Sequence, residues 1–204
     1  MTDEQLMQMA QQVVRVESEA VAGIGPQLDA ASLRAAAGHM LACTGKVLVA
    51  GVGTSHATAL RMAHLLSCCG TPALFIHPGD AIHGTSGAFA EGDVLVVISK
   101  GGKTDEVNKV AAIAKARGAR LIALTEAPQS ALGQMADVNV VVRTPADVDP
   151  YGMIATGSSL VYSATADVLC VLMLEMRGYT KEQFGKTHPG GAVGKTLAAE
   201  GEAR

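Results

Sequence analysis

Apolar residues recur with a helical period at the start of the chain and in short unbroken runs further on. Between Asp3 and Ile24, Leu6, Met9, Val13, Val16 and Ala20 fall on one face among Gln, Arg and Glu, the spacing of an amphipathic helix that Gly25-Pro26 ends. A second helix is predicted over about 29–42. From Lys46 the pattern changes to apolar runs at 46–51, 73–77, 94–99, 120–125 and 138–143. Runs without polar alternation suit parallel strands covered on both faces. Helical stretches follow the first run to about Leu66, the third to about Arg117, and the fourth over 129–136. Gly118 supplies a helix stop. Residues 77–84, after the second run, read as a loop.

The rhythm over 46–143 is β-α-β-loop-β-α-β-α-β, which predicts an α/β three-layer sandwich around a five-stranded parallel sheet, preceded by a helical extension. The last third differs. A loop over 144–156 leads to a long apolar helix over 158–176, then Gly178, a short helix from Thr180, and a tail containing His188-Pro189-Gly190-Gly191. No linker, repeat or low-complexity tract interrupts the chain. The expectation is one domain over 1–204, made of N-terminal helices (1–44), a sheet core (45–143) and a C-terminal part (144–204). The helical extension packs either on its own sheet or on another subunit.

Composition narrows the partners. A net charge of −3 and 3% aromatic residues give neither a basic footprint for nucleic acid nor a platform for stacking bases. The acidic start, Met1-Thr2-Asp3-Glu4, is unlike a signal peptide, and the longest unbroken apolar tract, 168–173, is too short to cross a bilayer. The four cysteines, Cys43, Cys68, Cys69 and Cys170, lack zinc-type spacing and read as buried free thiols. A cytoplasmic protein is expected, with no nucleic acid, no membrane, no metal and no cofactor.

In a parallel sheet, ligands sit beyond the carboxyl ends of the strands. The loops there begin with Gly51-Val52-Gly53-Thr54-Ser55 and Ser99-Lys100-Gly101-Gly102-Lys103-Thr104. Both are glycine- and hydroxyl-rich turns entering helices, with Thr54 and Ser55 expected to cap the first. Backbone N–H groups, hydroxyls and the Lys100 or Lys103 ammonium suit a phosphate monoester. The predicted phosphate-binding residues are Gly53, Thr54, Ser55, Ser99, Gly101, Gly102, Lys103 and Thr104. Nucleotide motifs fail on detail. Gly51-Val52-Gly53 has no acid after the second strand, and the Gly-Lys-Thr triplets at 102–104 and 194–196 lack the leading glycine of a phosphate loop. Among the six histidines, His39 and His64 fall inside helices, and His56 and His77 lie at element edges. His83 and His188 lie in glycine-bounded loops with little packing reason to be histidine, and an imidazole is a natural proton carrier near neutral pH.

These residues resemble the sugar isomerase (SIS) domain family over nearly the whole chain, most of all arabinose 5-phosphate isomerases of the single-domain kind. The first turn, the run His77-Pro78-Gly79-Asp80-Ala81-Ile82-His83-Gly84, and Ile98-Ser99 with Thr104 and Glu106 carry part of the resemblance. The ending from Gly178-Tyr179-Thr180 through Phe184 to His188-Pro189-Gly190-Gly191-Ala192-Val193-Gly194-Lys195 carries the rest. The resemblance implies a flavodoxin-like sheet, a dimer or tetramer with active sites shared between subunits, and aldose–ketose isomerisation of a phosphosugar through an enediol. It implies Ser55, Ser99 and Thr104 as phosphate ligands, His188 and His83 as the site histidines, and Asp147 where the isomerases carry Glu. Larger members add a paired regulatory domain after this point, whose control is expected to be absent here.

Two positions depart from the family pattern. Thr54 stands where the isomerases have Lys, and Lys103 stands where they have Glu. Lys103 is expected to supply the cation that position 54 no longer does. His188 is expected to be the base, arriving on a mobile C-terminal loop, with His83 helping ring opening and Asp147 completing the catalytic set. The alternatives are another phosphosugar, such as a 3-hexulose 6-phosphate, a non-catalytic sugar-phosphate sensor, or a scaffold with vestigial loops.

Overall fold

A computed structural model describes residues 1–145 and 151–202. Five strands form one sheet: β1 (Val47–Ala50), β2 (Ala73–Phe75), β3 (Val94–Ile98), β4 (Arg120–Thr125) and β5 (Val138–Val141). Their order is β2-β1-β3-β4-β5, and all pairs are parallel. Chain direction across the sheet reverses between β1 and β3, the switch point at which such sheets open a crevice.

Successive strand residues face opposite layers, and the two cores follow that period. Val47, Val49, Val94, Val96, Ile98, Ile122 and Leu124 pack with Met40, Met62, Leu66, Val161, Leu169 and Met173. Those partners come from α2 (Ala30–Leu41), α3 (Thr54–Cys68) and α7 (Thr156–Arg177). On the other face, Leu48, Ala50, Leu95, Val97, Leu121 and Ala123 meet Phe89, Val107, Val110, Ala114 and Leu132. That layer contains α4 (Pro78–Ala81), α5 (Asp105–Ala116) and α6 (Ala131–Met135). Both faces are therefore dry, which is why the strands read as unbroken apolar runs.

The N-terminal helix α1 (Asp3–Ala22) opens with a capping box at Thr2 and Gln5. It packs on α7 rather than on the sheet, and Leu6, Met7, Met9 and Val14 remain exposed.

Several expectations change in detail. Residues 77–84 contain a helical turn, α4, and a 3₁₀ turn follows at Thr85–Ala88; neither is long enough to show a period in sequence. The expected C-terminal tail is helical: α8 (Lys181–Thr187) is followed by α9 (Gly191–Glu202). The helix α7 runs 22 residues and is long and apolar enough to cross a bilayer, unlike the short tract read from sequence. Its buried stripe of Val161, Tyr162, Thr165, Ala166, Leu169, Cys170 and Met173 packs on α3, α1 and α2, which marks it as a core helix of the sandwich.

Ion pairs hold the amino ends of the strands. Asp93, 1% exposed, accepts from the Lys46 and Ala90 backbone N–H groups and from Lys46 Nζ at 2.8–2.9 Å. Asp137 does the same for Leu121 N–H and Lys115 Nζ, both at 2.7 Å. Of the thiols, Cys170 is buried, and burial pushes it up to about 12. Cys43, Cys68 and Cys69 are free and half-buried.

Candidate functional site

The crevice at the switch point is framed by two turns. After β1, Gly51 has no room for a side chain, because a Cβ would strike the Ser55 carbonyl. Gly53 takes φ +65°, a left-handed conformation that favours glycine, and stands at the N-cap of α3. This corrects the expected capping. Thr54 is already the first helical residue, so neither its hydroxyl nor that of Ser55 turns back to bond the helix start. The first N–H groups of α3 are left facing the crevice.

The turn after β3 follows the same logic. Gly102 adopts φ +60° with Ser130 Oγ packed where a Cβ would be, and its carbonyl accepts from Leu132 N–H and Asn108 Nδ2, each at 3.3 Å. Thr125 Oγ1 and Glu126 N–H hold the Lys100 carbonyl at 2.9 and 3.1 Å. Thr104 is the N-cap of α5 but makes no side-chain cap bond. Since β1 and β3 pair directly with Ala50 beside Val97, the two turns rise side by side.

Three of their hydroxyls have no partner among the described residues. Ser99 is 6% exposed, Ser55 and Thr104 are half-buried, and none of the three hydroxyls bonds a described residue. Gly101 and Lys103 are exposed, and Lys103 makes no ion pair with a described residue. Two uncapped helix starts, free hydroxyls and a free ammonium at adjacent strand ends form an anion cradle. His83 joins this end of the molecule: it lies just past α4, on the loop leaving β2, and is exposed. Nearby, His56 in the first turn of α3 and His77 at the start of α4 lie 5.3 Å apart between ring centres. The His77 Nδ1 is buried and has no hydrogen-bond partner among the described residues, with Asp80 Oδ2 4.0 Å away.

His188 is elsewhere within the protomer. It caps the end of α8, stacks on Phe184 at 3.8 Å, and places Nε2 3.4 Å from Cys68 Sγ. Cys68 ends α3, whose 15 residues separate it from the phosphate turn by about 20 Å. The Nδ1 of His188 lies 3.0 Å from the Phe184 carbonyl and 3.1 Å from Thr187 Oγ1. Asp147 lies outside the described residues. A carboxylate missed in sequence, where it looks like part of the turn Glu126-Ala127-Pro128, is Glu126 at the carboxyl end of β4. Among the described residues, no group of three or more His, Cys, Asp or Glu is arranged to hold a metal ion.

Residues 40–173 match the SIS domain model, and the chain belongs to that family. The arabinose 5-phosphate isomerase KdsD of Escherichia coli K12 is 34% identical over 190 residues, which is 93% of this chain and 58% of that protein. The chain thus spans little more than half the length of the curated relatives it matches. Among solved structures, a candidate sugar-phosphate isomerase of Listeria monocytogenes superposes with a TM-score of 0.90 at 35% identity, covering 93% of this chain and all of that one. An Escherichia coli CFT073 protein in complex with arabinose 5-phosphate gives 0.87 at 28%, with the same coverage.

Proposed function

We propose that the chain is a cytoplasmic aldose–ketose isomerase acting on a small phosphorylated sugar, of the arabinose 5-phosphate/ribulose 5-phosphate type. The observation that carries this is the set of unpartnered hydroxyls of Ser55, Ser99 and Thr104 at two uncapped helix starts. A phosphate monoester supplies the acceptor oxygens and negative charge that this cradle lacks. The similarity to KdsD and to the protein bound to arabinose 5-phosphate supports a pentose phosphate as the first substrate to test.

Isomerisation moves a proton between C1 and C2 while the carbonyl oxygen gains negative charge. The phosphate clamp fixes the sugar at one end, so that C1 and C2 lie at a set distance from it. His83 is assigned to ring opening and proton delivery at oxygen. His188 is assigned as the base at C2. Its distance from the phosphate turn in one protomer is the reason to assign it to a neighbour's site, in a dimer or tetramer with shared active sites. The exposed apolar residues of α1 supply surface for such packing. Asp147 is the assigned carboxylate of the set, and Lys103 takes over the phosphate charge that Thr54 cannot supply.

The test is proton exchange at C2. The protein is incubated in D₂O with pentose and hexose phosphates, each alone, and followed by NMR. Deuterium at C2 or a new ketose signal, lost in both His188→Ala and His83→Ala, is expected. Binding shifts with no exchange across the panel would replace the enzyme by a sugar-phosphate sensor, the outcome that the exchanged charges at Thr54 and Lys103 would then explain. Exchange that survives His188→Ala would remove that residue as the base.

A further inference from the structure

Asn108 stands one turn into α5, directly behind the turn that leaves β3. Its backbone N–H donates to the Thr104 carbonyl at 3.0 Å, at the start of the helix. Its side-chain Nδ2 donates to the Gly102 carbonyl at 3.3 Å. A carbonyl oxygen only accepts, so the amide nitrogen must be the atom that faces it. The amide oxygen is left over: Oδ1 is buried and has no hydrogen-bond partner among the described residues.

A buried acceptor without a donor costs free energy, and such a group calls for a reason. Satisfying the Gly102 carbonyl is not reason enough, because Leu132 N–H already donates to it at 3.3 Å. A leucine at 108 would fill similar space and bury no orphan oxygen. As a support for the fold alone, the amide is a poor choice.

What the amide fixes is a direction. The C=O and N–H of a trans peptide unit point opposite ways. Asn108 on α5 and Leu132 on α6 hold the Gly102 carbonyl toward their own layer, and α6 follows β4. In the sheet, β4 and β1 flank β3 on opposite sides. The other end of the same peptide unit, the Lys103 N–H, therefore points away from α5 and α6, toward the turn that leaves β1. No described residue accepts from it. Gly102 itself cannot slide out of this hold, since Ser130 Oγ packs where its Cβ would be.

We propose that Asn108 is a positioning residue of the anion cradle: through the Gly102 carbonyl it keeps the Lys103 N–H aimed at a bound phosphate monoester. The inference rests on the phosphate reading of the two turns given above. Lys103 then offers two donors to one phosphate, its main-chain N–H and its ammonium, while Asn108 itself touches no ligand.

The probe is inorganic phosphate, titrated into the isotope-labelled full chain and followed by NMR. In the unsubstituted protein the Lys103 amide signal moves downfield as phosphate saturates the site. Asn108→Leu weakens phosphate binding about tenfold, the loss expected of one hydrogen bond to a charged group, and largely abolishes that shift. Its Tm stays level or rises, because the orphan oxygen leaves with the amide and Leu132 still serves the Gly102 carbonyl. Asn108→Gln, which keeps an amide donor, binds phosphate more tightly than Asn108→Leu. A lowered Tm in Asn108→Leu with phosphate affinity and the Lys103 shift unchanged would make Asn108 a structural tie and overturn the proposal. A Lys103 amide that stays still while phosphate saturates the unsubstituted protein would overturn it without any variant. If the unsubstituted protein binds no phosphate at all, the phosphate reading of the turns fails, and this proposal fails with it.

Discussion

Thr54 and Lys103 are the positions at which this chain is expected to depart from the isomerase pattern, and each is readable as a single residue. Lys103 is exposed and unpaired with any described residue, so its ammonium is free for an incoming phosphate. A charge-assisted contact of this kind contributes about 1.5–3 kcal/mol. Lys103→Ala should therefore raise KM for the phosphosugar about tenfold or more with kcat little changed, and steady-state kinetics that leave KM unchanged would reject the role. Asp93 and Asp137 work at the opposite end of the strands. Burial alone would raise both carboxyls, but the Lys46 and Lys115 ammonium groups and backbone N–H donors outweigh it and hold both below the ordinary range. A carboxyl lowered in the folded state contributes stability that is complete above its unfolded value of about 4. That contribution is lost as pH falls through the lower folded-state values. Thermal unfolding is expected to be flat from about pH 6 to 8 as far as these groups are concerned, and to weaken below about pH 4. Asp93→Asn at pH 7 should lower stability by about 1–3 kcal/mol and leave KM unchanged, since it removes the charge to which three donors bond.

At the scale of elements, the site depends on two strand-to-helix turns whose glycines differ in purpose. Gly53 reverses the chain into α3 with positive φ and open space around it, whereas Gly102 combines positive φ with Ser130 packed at its α-carbon. Gly102→Ala should then cost more than Gly53→Ala. Calorimetry is expected to show a drop in Tm for Gly102→Ala at least twice that for Gly53→Ala, while both weaken phosphate binding. The sequence made the helices and strands legible because burial on both sheet faces leaves unbroken apolar runs. It did not reveal α4 or α9. A four-residue turn is too short for a period, and residues 187–195, rich in glycine with Pro189, favour a loop by local propensity. The capping by Thr54 and Ser55 was misplaced for a related reason. Which residue of Gly53-Thr54-Ser55 begins the helix is set by backbone angles, and composition is silent on those.

Across the whole molecule, the predicted residues divide into two places. Ser55, Ser99, Gly101, Gly102, Lys103, Thr104 and His83 gather at the carboxyl end of the sheet, and His188 lies with Cys68 at the far end of α3. A site shared between protomers makes a sharp prediction. His188→Ala and Ser99→Ala, each inactive alone, should recover roughly a quarter of full activity or more when co-expressed in one oligomer, because some sites then receive both native residues. Absence of any recovery in a verified mixed oligomer would place both residues in the same protomer's site.

By itself the sequence determined the α/β class, the five strands, the two hydroxyl-rich turns and the family, because all of these follow from local periodicity and short contiguous motifs. Only the tertiary structure decided what those motifs meet. Strand order brought 51–55 beside 99–104 at the switch point, and the length of α3 carried His188 away from both. Pairing of β4 with β3 and β5 gave Glu126 its two neighbours, Lys100 and Thr144, 26 and 18 residues distant in the chain. Contacts between residues far apart in sequence are fixed by packing of the sheet as a whole, and no local pattern encodes them.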